Sequence, residues 1–348
     1  MGLSFVVEIM CRCPIFRDLL SRRPAGKGGE AVFFSSVCSM ARRLRFLDNE
    51  SGIVEVSSRT IHGRFLTRPS AEVNKLILGI LGRAQAKYPV EIFAFVFLSN
   101  HFHLLMRALS AKRMAEFVGF VKSNIAKEIG RLHDWKQTFW GGRYYSGPLA
   151  DDSEEDESAR FLYILSNGCK EGLVASPLDW PGVSSARALY RGETTMQGIW
   201  YDRTAEFHAR IRGEKKLFPT VETVRLSPLP FLAESTPAEQ REYMVAAVRQ
   251  IEQETRERDE KNGTSPLGAR NIEQRNPHDS PDDFQPAPAP WFHCINREQY
   301  RAMRAARAIT VAAYREAAER LRQGDTDVHF PEGSFPPPAP FVETRAPP

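Results

Sequence analysis

The fold is decided by the stretch VEIFAFVFLSNHFHLLMR at residues 90–107. Its first half, residues 90–98, is almost wholly apolar, which is typical of a strand buried in a sheet. Ser99-Asn100 is a turn-forming pair, and the apolar pattern resumes over residues 101–107. Two strands joined by two residues predict an antiparallel hairpin.

The segments around this hairpin complete a mixed pattern. A β-branched strand at residues 52–57 precedes it, followed by a helix that begins after Pro69-Ser70 and ends at Pro89. After the hairpin come a basic amphipathic helix (111–132), an aromatic, glycine-rich stretch leading into a strand (138–149) and a helix opened by the acidic run 151–157. This order is the split βαβ pattern of ferredoxin-like α+β domains. We predict an antiparallel sheet with helices on one face, plus a mostly helical C-terminal extension.

The length of 348 residues allows one good-sized domain and a second unit. We assign residues 40–215 to the working domain and residues 216–348 to a helical extension with a proline-rich linker and tail. Residues 1–39 match nothing that follows and are treated as an uncertain N-terminal extension, because Met40 opens a basic run that suits a start. The extension's last helix, at 297–323, is basic and amphipathic, which fits DNA, a partner or plain packing.

Composition excludes several classes of protein. No apolar stretch is long enough to span a bilayer, and Glu8 interrupts the apolar N-terminus, so we expect no membrane partner. The five cysteines lack zinc spacing, which favours reduced thiols in the cytoplasm. The 47 basic residues exceed the 43 acidic ones by too little to indicate nucleic acid by themselves.

His101 and His103 are the first candidate site. Side chains at i and i+2 of a strand point to the same face, so both imidazoles would aim at one point. Two neutral imidazoles on one face can bind a divalent cation. The pair alone also fits two ordinary strand histidines, but its place on a buried, rigid strand favours the metal site.

Tyr163 is the candidate nucleophile, in a helix where Asn167 follows four residues later on the same face. A phenol with its usual pKa near ~10 needs a nearby cation or base to attack at neutral pH. The same residues also fit a core tyrosine and a helix-ending asparagine. Tyr144 and Tyr145 are rival nucleophiles, but neither has an amide partner four residues on, so we interpret them as base-stacking or core residues.

Three ordered motifs resemble one family. Residues 99–105, SNHFHLL, resemble the His-hydrophobe-His motif of single-tyrosine HUH transposases, above all the REP-associated tyrosine transposases and their insertion-sequence relatives. Residues 139–145, FWGGRYY, resemble the family's Trp/Arg/Tyr-rich stretch. Residues 163–174, YILSNGCKEGLV, and the DWP at 179–181 resemble its tyrosine helix. The resemblance covers about residues 42–190, with Gly168 in place of the usual proline.

The resemblance implies a ferredoxin-like nuclease domain, an Mg²⁺ or Mn²⁺ ion and single-stranded DNA bearing hairpins. Carried over by position, the metal ligands are His101, His103 and Asn167, and the nucleophile is Tyr163. The implied activity is that of a transposase that cleaves and rejoins DNA through a 5′-phosphotyrosine. It implies a cytoplasmic, nucleoid-associated bacterial protein and leaves open a homodimer, in which Tyr163 acts with a neighbour's histidines.

Basic and aromatic residues around the motifs outline an expected DNA path, although each alone also fits a solvated surface. They are Arg42, Arg43, Arg45, Arg59, Arg64, Arg68, Lys112, Arg113, Lys122, Lys127, Arg143 and Tyr144.

Other functions remain as alternatives. A domesticated relative would bind DNA hairpins and regulate without cutting, but its expected mark, loss of a histidine or the tyrosine, is missing here. A histidine-triad hydrolase requires a third histidine where the chain has Leu105. A two-histidine phosphoesterase requires a hydroxyl residue at that same position.

Overall fold

The computed structural model describes residues 52–149, 153–282 and 292–337. Asn49–His293 form one compact unit, and Cys294–Pro348 fall in a second. The predicted extension at 1–39 and the predicted DNA contacts Arg42, Arg43 and Arg45 lie outside the described residues. The predicted boundary at residue 215 falls inside the first unit, and the assignment of separate domains stays a prediction.

The elements are numbered here in chain order. The strands are β1 (Ile53–Arg59), β2 (Glu91–Phe97), β3 (His101–Arg107), β4 (Tyr145–Pro148), β5 (Thr195–Tyr201) and β6 (Pro219–Arg225). The helices are α1 (Ala71–Lys87), α2 (Ala111–Leu132), α3 (Glu154–Leu165), α4 (Asn167–Lys170), α5 (Ala186–Arg191), α6 (Arg203–Ile211), α7 (Pro237–Asn262), α8 (Ala269–Gln274) and α9 (Arg297–Arg322).

The main sheet has the strand order β2-β3-β1-β4, with every neighbouring pair antiparallel. This is the ferredoxin-like order, so the predicted split βαβ pattern is confirmed. β2 and β3 form the predicted hairpin, closed where the amide of Leu98 donates to the carbonyl of His101 at 2.8 Å. β1 and β3 occupy the centre, which gives the residues on them rigid support on both sides.

Serine caps begin the helices beside the sheet. The Ser70 side chain accepts from the amide of Val73, and the Ser110 side chain accepts from the amide of Arg113. Each cap satisfies one of the donors that a helix N-terminus leaves unpaired. α2 has the predicted bounds, and α1 packs beside it.

The two faces of the sheet carry different side chains. Phe102 points to the face covered by α2, where its ring meets Trp140 at 5.7 Å and the Trp140 indole donates to the carbonyl of Lys122 at 2.9 Å. His101 and His103 point to the opposite face, against which α3 packs. The prediction of helices on one face therefore describes α1 and α2, whereas the added helix α3 covers the histidines.

A second hairpin, β5 and β6, packs on α1 and was not predicted from the sequence. Its backbone lies directly on the helix, since a Cβ added at Gly79 would be 2.1 Å from the carbonyl oxygen of Ile199. A Cβ at Gly198 would likewise be 2.1 Å from the amide nitrogen of Gly79. Glycine is required on both sides because only its lack of Cβ allows two backbones to approach so closely. The signal in the sequence was a pair of glycines, Gly79 and Gly82, inside a helix.

The C-terminal helices follow the predicted pattern. α7 begins with a capping box in which Thr236 and Glu239 exchange hydrogen bonds, and it ends at Gly263 with a left-handed backbone. In the second unit, α9 is held by Tyr314, whose hydroxyl donates to the carbonyl of Phe335 at 3.0 Å. None of the helices in the described ranges is long and apolar enough to cross a membrane.

We expect Gly79→Ala to destabilise the fold by about 1–3 kcal/mol, because the added methyl group meets the backbone of β5 and not a movable side chain. Gly119→Ala in α2 is the matched control, since a Cβ there meets nothing within 4 Å and alanine favours helix by up to ~1 kcal/mol. Urea unfolding of both variants would measure the difference. Equal stability of Gly79→Ala and the parent protein would contradict the close packing of the hairpin on α1.

Candidate active site

Two histidines on β3 form the centre of the site. The rings of His101 and His103 lie on one face of the sheet with centroids 5.2 Å apart. In the register of β1 with β3, Arg59 pairs with His101 and Ser57 pairs with His103. Glu55, two residues before Ser57, is therefore on the same face.

His101 is held by the turn that precedes it. Its Nδ1 lies 2.6 Å from the amide oxygen of Asn100, and the amide nitrogen of Asn100 donates to the carbonyl of Gly63 at 3.1 Å. An amide oxygen only accepts, so Nδ1 of His101 carries the proton and Nε2 keeps its lone pair. That Nε2 faces Oδ1 of Asn167 at 3.3 Å.

His103 is held in the same way by a carboxylate. Its Nδ1 lies 2.6 Å from Oε1 of Glu55, whose other oxygen accepts from Nη1 of Arg160 at 2.8 Å. The carboxylate only accepts, so Nδ1 of His103 carries a proton, and in the neutral imidazole Nε2 is then the nitrogen with a lone pair. Such a carboxylate–histidine pair is the usual outer support of a metal-binding imidazole.

The charges of the site fit this arrangement. Burial lowers the pKa of His101 well below its usual value, and nearby His103 and Arg59 lower it further, so the imidazole is neutral and able to bind a cation. Burial alone would raise the pKa of Glu55, but Arg160 and the hydrogen bond from His103 hold that pKa well below its usual range. The carboxylate is thus ionised although only 2% of the residue is exposed.

Tyr163 lies on α3, with its ring edge-on to His103 at 5.6 Å between centroids. The guanidinium of Arg160 is 4.3 Å from the centre of the tyrosine ring, and Nζ of Lys170 is 4.2 Å from it. Burial raises the pKa of Tyr163, and the charge of Glu55 adds to the rise, while Arg160 works against it. Two cations on the ring favour developing negative charge on the phenol.

Asn167 keeps the helical spacing from Tyr163 although α3 ends at Leu165. Ser166 retains right-handed helical backbone angles and α4 begins directly at Asn167, so the amide stays on the side of the tyrosine. Asn167 is 3% exposed. Trp180, from the predicted DWP motif, donates from its indole to the carbonyl of Phe97 at 3.0 Å and anchors this region to the end of β2.

These side chains offer a mixed donor set of two imidazole nitrogens and one amide oxygen. Imidazole and carbonyl oxygen are both ligands that divalent cations accept in proteins. In the described part of the chain, no group of three His, Cys, Asp or Glu side chains could hold a metal ion. A site here therefore depends on Asn167 as the third protein ligand.

Comparison with known proteins identifies the segment that carries the histidines. Residues 66–162, less than a third of the chain, match the family described as "Transposase IS200 like". Over these residues the chain is similar to IS200-like transposases. The resemblance predicted from the motifs is confirmed there, although the matched residues end just before Tyr163.

Two solved structures are similar to parts of the chain. One, described as the structure of a REP-associated tyrosine transposase bound to a REP hairpin, has 20% identity and a TM-score of 0.36, and the match covers 44% of this chain and 87% of that one. The other, a candidate transposase from Deinococcus radiodurans R1, has 18% identity and a TM-score of 0.25, with coverage of 32% and 87%. The comparison with curated proteins gave no match.

The predicted DNA contacts are not all in one place. Arg59 is close to the site, since its charge acts on both His101 and Tyr163. Arg64 and Arg68 instead donate to the backbone carbonyls of His278 and Glu273.

The other predicted contacts follow α2 and the loop before β4. Lys112, Lys127 and Arg143 are exposed, and Arg113 is 3.9 Å from Glu116. Lys122 donates to the carbonyl of Gly142 at 2.9 Å and lies over the ring of Trp140. Tyr144 is only 8% exposed, which favours the core interpretation of that residue over base stacking.

Several residues of the candidate site were missed in the sequence. Glu55 carried a signal, because it is the lone acidic residue of β1 and lies between two β-branched residues, Val54 and Val56. Arg160 could also have been recognised, because it lies three residues before Tyr163 on the same helix and is therefore its neighbour. His293, which lies 2.8 Å from Glu55, carried no signal, because its neighbours in sequence belong to no motif.

We expect Glu55→Gln to lower the free energy of unfolding by ~3 kcal/mol, since it leaves the largely buried Arg160 without its counter-charge. Glu91→Gln is the control. It also removes a strand glutamate paired with an arginine, Arg107, but the Glu91 side chain is 49% exposed. That change should cost under ~1 kcal/mol. Guanidinium unfolding measures both, and similar losses from the two would contradict the central role of Glu55.

Proposed function

We propose that this chain is a metal-dependent transposase that cleaves and rejoins single-stranded DNA bearing hairpins, through a 5′-phosphotyrosine on Tyr163. One observation carries the proposal: His101 and His103 are both fixed through Nδ1 by oxygen acceptors. Their free Nε2 atoms are thereby left for a cation beside Asn167, with the Tyr163 ring against His103. The transposase family of residues 66–162 supports the same conclusion.

The ligands of this proposed site are His101, His103 and Asn167, and the ion is Mg²⁺ or Mn²⁺. When bound, the ion would polarise a non-bridging oxygen of the scissile phosphate and offset the charge that develops in the transition state. Glu55 and Asn100 keep both histidines in the tautomer that can bind it.

Tyr163 performs the covalent step in this proposal. Its phenol oxygen attacks the phosphorus, the bond from phosphorus to the 3′ oxygen breaks, and the leaving strand ends in a 3′-OH. The phenol loses one proton and the 3′ oxygen gains one, so the step is balanced without an external acid or base. A second 3′-OH can attack the phosphotyrosine and release Tyr163, which rejoins strands while keeping the energy of the phosphodiester.

Arg160 and Lys170 assist the nucleophile. Burial raises the pKa of Tyr163, so the phenol needs nearby positive charge to give up its proton at neutral pH. The two cations lie within cation–π distance of the ring, at 4.3 and 4.2 Å from its centre.

Tyr163 meets the histidines of its own chain, with 5.6 Å between its ring and that of His103. We therefore propose that one protomer assembles a complete site in cis. The homodimer and the nucleoid-associated location in the cytoplasm stay predictions.

The first test is a covalent adduct. The purified protein is incubated with Mg²⁺ or Mn²⁺ and a labelled single-stranded oligonucleotide library containing hairpins. We expect an adduct that survives denaturing electrophoresis, and we expect Tyr163→Phe to abolish it because the phenol oxygen is the attacking atom. Tyr190→Phe, which removes a hydroxyl on α5, serves as the matched control and should keep full adduct yield.

Two other results of the adduct experiment would contradict the proposal. An adduct that persists in Tyr163→Phe would move the nucleophile to Tyr144 or Tyr145. Tight hairpin binding without any adduct would favour a domesticated DNA-binding protein over the enzyme.

A second test concerns DNA binding near the site. We expect Arg59→Gln to weaken hairpin binding and to reduce the slope of log affinity against log salt by ~0.7, the value for one phosphate contact on a single strand. Arg107→Gln is the control, because Arg107 lies at the far end of β3, about 20 Å away at ~3.3 Å per residue. Fluorescence anisotropy across a salt series measures both slopes. An unchanged slope in Arg59→Gln would remove Arg59 from the DNA path.

A further inference from the structure

A short segment returns to the sheet beside the site after residues 283–291, which lie outside the described ranges. The amide of His293 donates to the carbonyl of Pro148 at 2.9 Å, and residue 293 forms a parallel bridge with Leu149. Phe292 and His293 are 6% and 8% exposed. The segment therefore lies along the edge of β4 as part of the packed unit.

The side chain of His293 reaches Glu55. Its Nε2 is 2.8 Å from Oε2 of Glu55 and 3.1 Å from the hydroxyl oxygen of Tyr145. Burial and the charge of Arg160 lower the pKa of His293, so the imidazole is neutral. Because the carboxylate only accepts, the single ring proton lies on Nε2 and is donated to Glu55.

The two carboxylate oxygens of Glu55 therefore accept hydrogen bonds from different partners. Oε1 holds Nδ1 of His103, while Oε2 accepts from both Arg160 and His293. Arg160 also lies over the ring of Tyr163 and belongs to α3. His293 is attached to the sheet itself, so it fixes the carboxylate from the same rigid body that carries the histidines.

β4 leaves room for this contact at Gly147, which pairs with Glu55 in the sheet. A Cβ at Gly147 would lie 1.8 Å from the hydroxyl oxygen of Tyr145 and 2.9 Å from Nε2 of His293. Any other residue would displace the two side chains from above Glu55. The absence of a side chain at Gly147 therefore leaves the space in which His293 reaches Glu55.

We propose that His293 is a positioning residue of the site: by donating to Oε2 of Glu55 it fixes the carboxylate that orients His103, and so sets the affinity for the divalent cation. The inference rests on the proposed function in one respect, the assignment of His103 as a metal ligand. His293 touches neither the cation nor the DNA, and acts only through Glu55.

The test compares His293→Gln with His293→Asn in the full chain. The amide nitrogen of glutamine takes the position of Nε2, whereas that of asparagine takes the position of Nδ1 and does not reach Glu55. Binding of Mn²⁺ without DNA is followed by electron paramagnetic resonance. We expect His293→Gln to bind within about twofold of the parent and His293→Asn to bind about tenfold more weakly, the low end of the range for outer-shell partners of a ligand.

A second readout separates positioning from general damage. The rate of adduct formation in His293→Asn should fall at low Mn²⁺ and recover at high Mn²⁺, since only the affinity is changed. His208→Asn, a substitution on the exposed side of α6, is the control and should match the parent in both measurements.

Equal Mn²⁺ affinity in the parent and His293→Asn would overturn the inference, as would equal weakening by both substitutions. If thermal unfolding shows that the asparagine variant does not fold, Mn²⁺ binding by the Gly147→Ala variant tests the inference in its place. Its methyl group displaces His293 and should weaken Mn²⁺ binding, and an unchanged affinity would overturn the inference. A parent protein that binds no Mn²⁺ would overturn the metal site and this inference together, whereas binding that ignores residue 293 would leave the proposed function standing.

Discussion

Glu55 is a carboxylate taken out of water in a central strand, and the rest of the site depends on how its charge is satisfied. Moving such an ion into the protein interior costs several kcal/mol, so it persists only where donors surround it. The donors come from three separate parts of the chain: His103 on β3, Arg160 on α3 and His293 beside β4. The buried carboxylate of Glu55 therefore sets the position of His103, a candidate metal ligand. It also sets the position of Arg160, whose guanidinium lies over the ring of Tyr163.

The sheet supplies the rigidity that this charge requires. Alternation along β3 sends Phe102 into the core beneath α2 and both histidines to the opposite face. The turn before β3 adds Asn100, whose amide is fixed by the carbonyl of Gly63. Since the Nδ1 partners of both imidazoles, Asn100 and Glu55, come from a turn and a strand of the sheet, the imidazoles are held before any ligand binds.

Much of this was predictable because it depends on residues close in sequence. The periods of strands and helices predict the hairpin and the bounds of α2. They also predict that the two histidines share one face of a strand and that Tyr163 and Asn167 share one side of a helix. The β5–β6 hairpin was missed because β6 is mostly polar and β5 has a glycine in its middle, and because both strands are stabilised by distant α1. The charges of Arg64 and Arg68 in the sequence did not show which backbone carbonyls they meet in the fold, and their contact with DNA stays a prediction.

The sequence by itself determined the ferredoxin-like order of elements and the local direction of the candidate chemical groups. Tertiary structure decided which distant side chains support them. Glu55 is 48 residues from His103 and 105 from Arg160, and His293 is farther still. Local backbone geometry fixes where neighbouring side chains point, but contacts over such separations arise only when the whole sheet closes and a buried charge must find its donors.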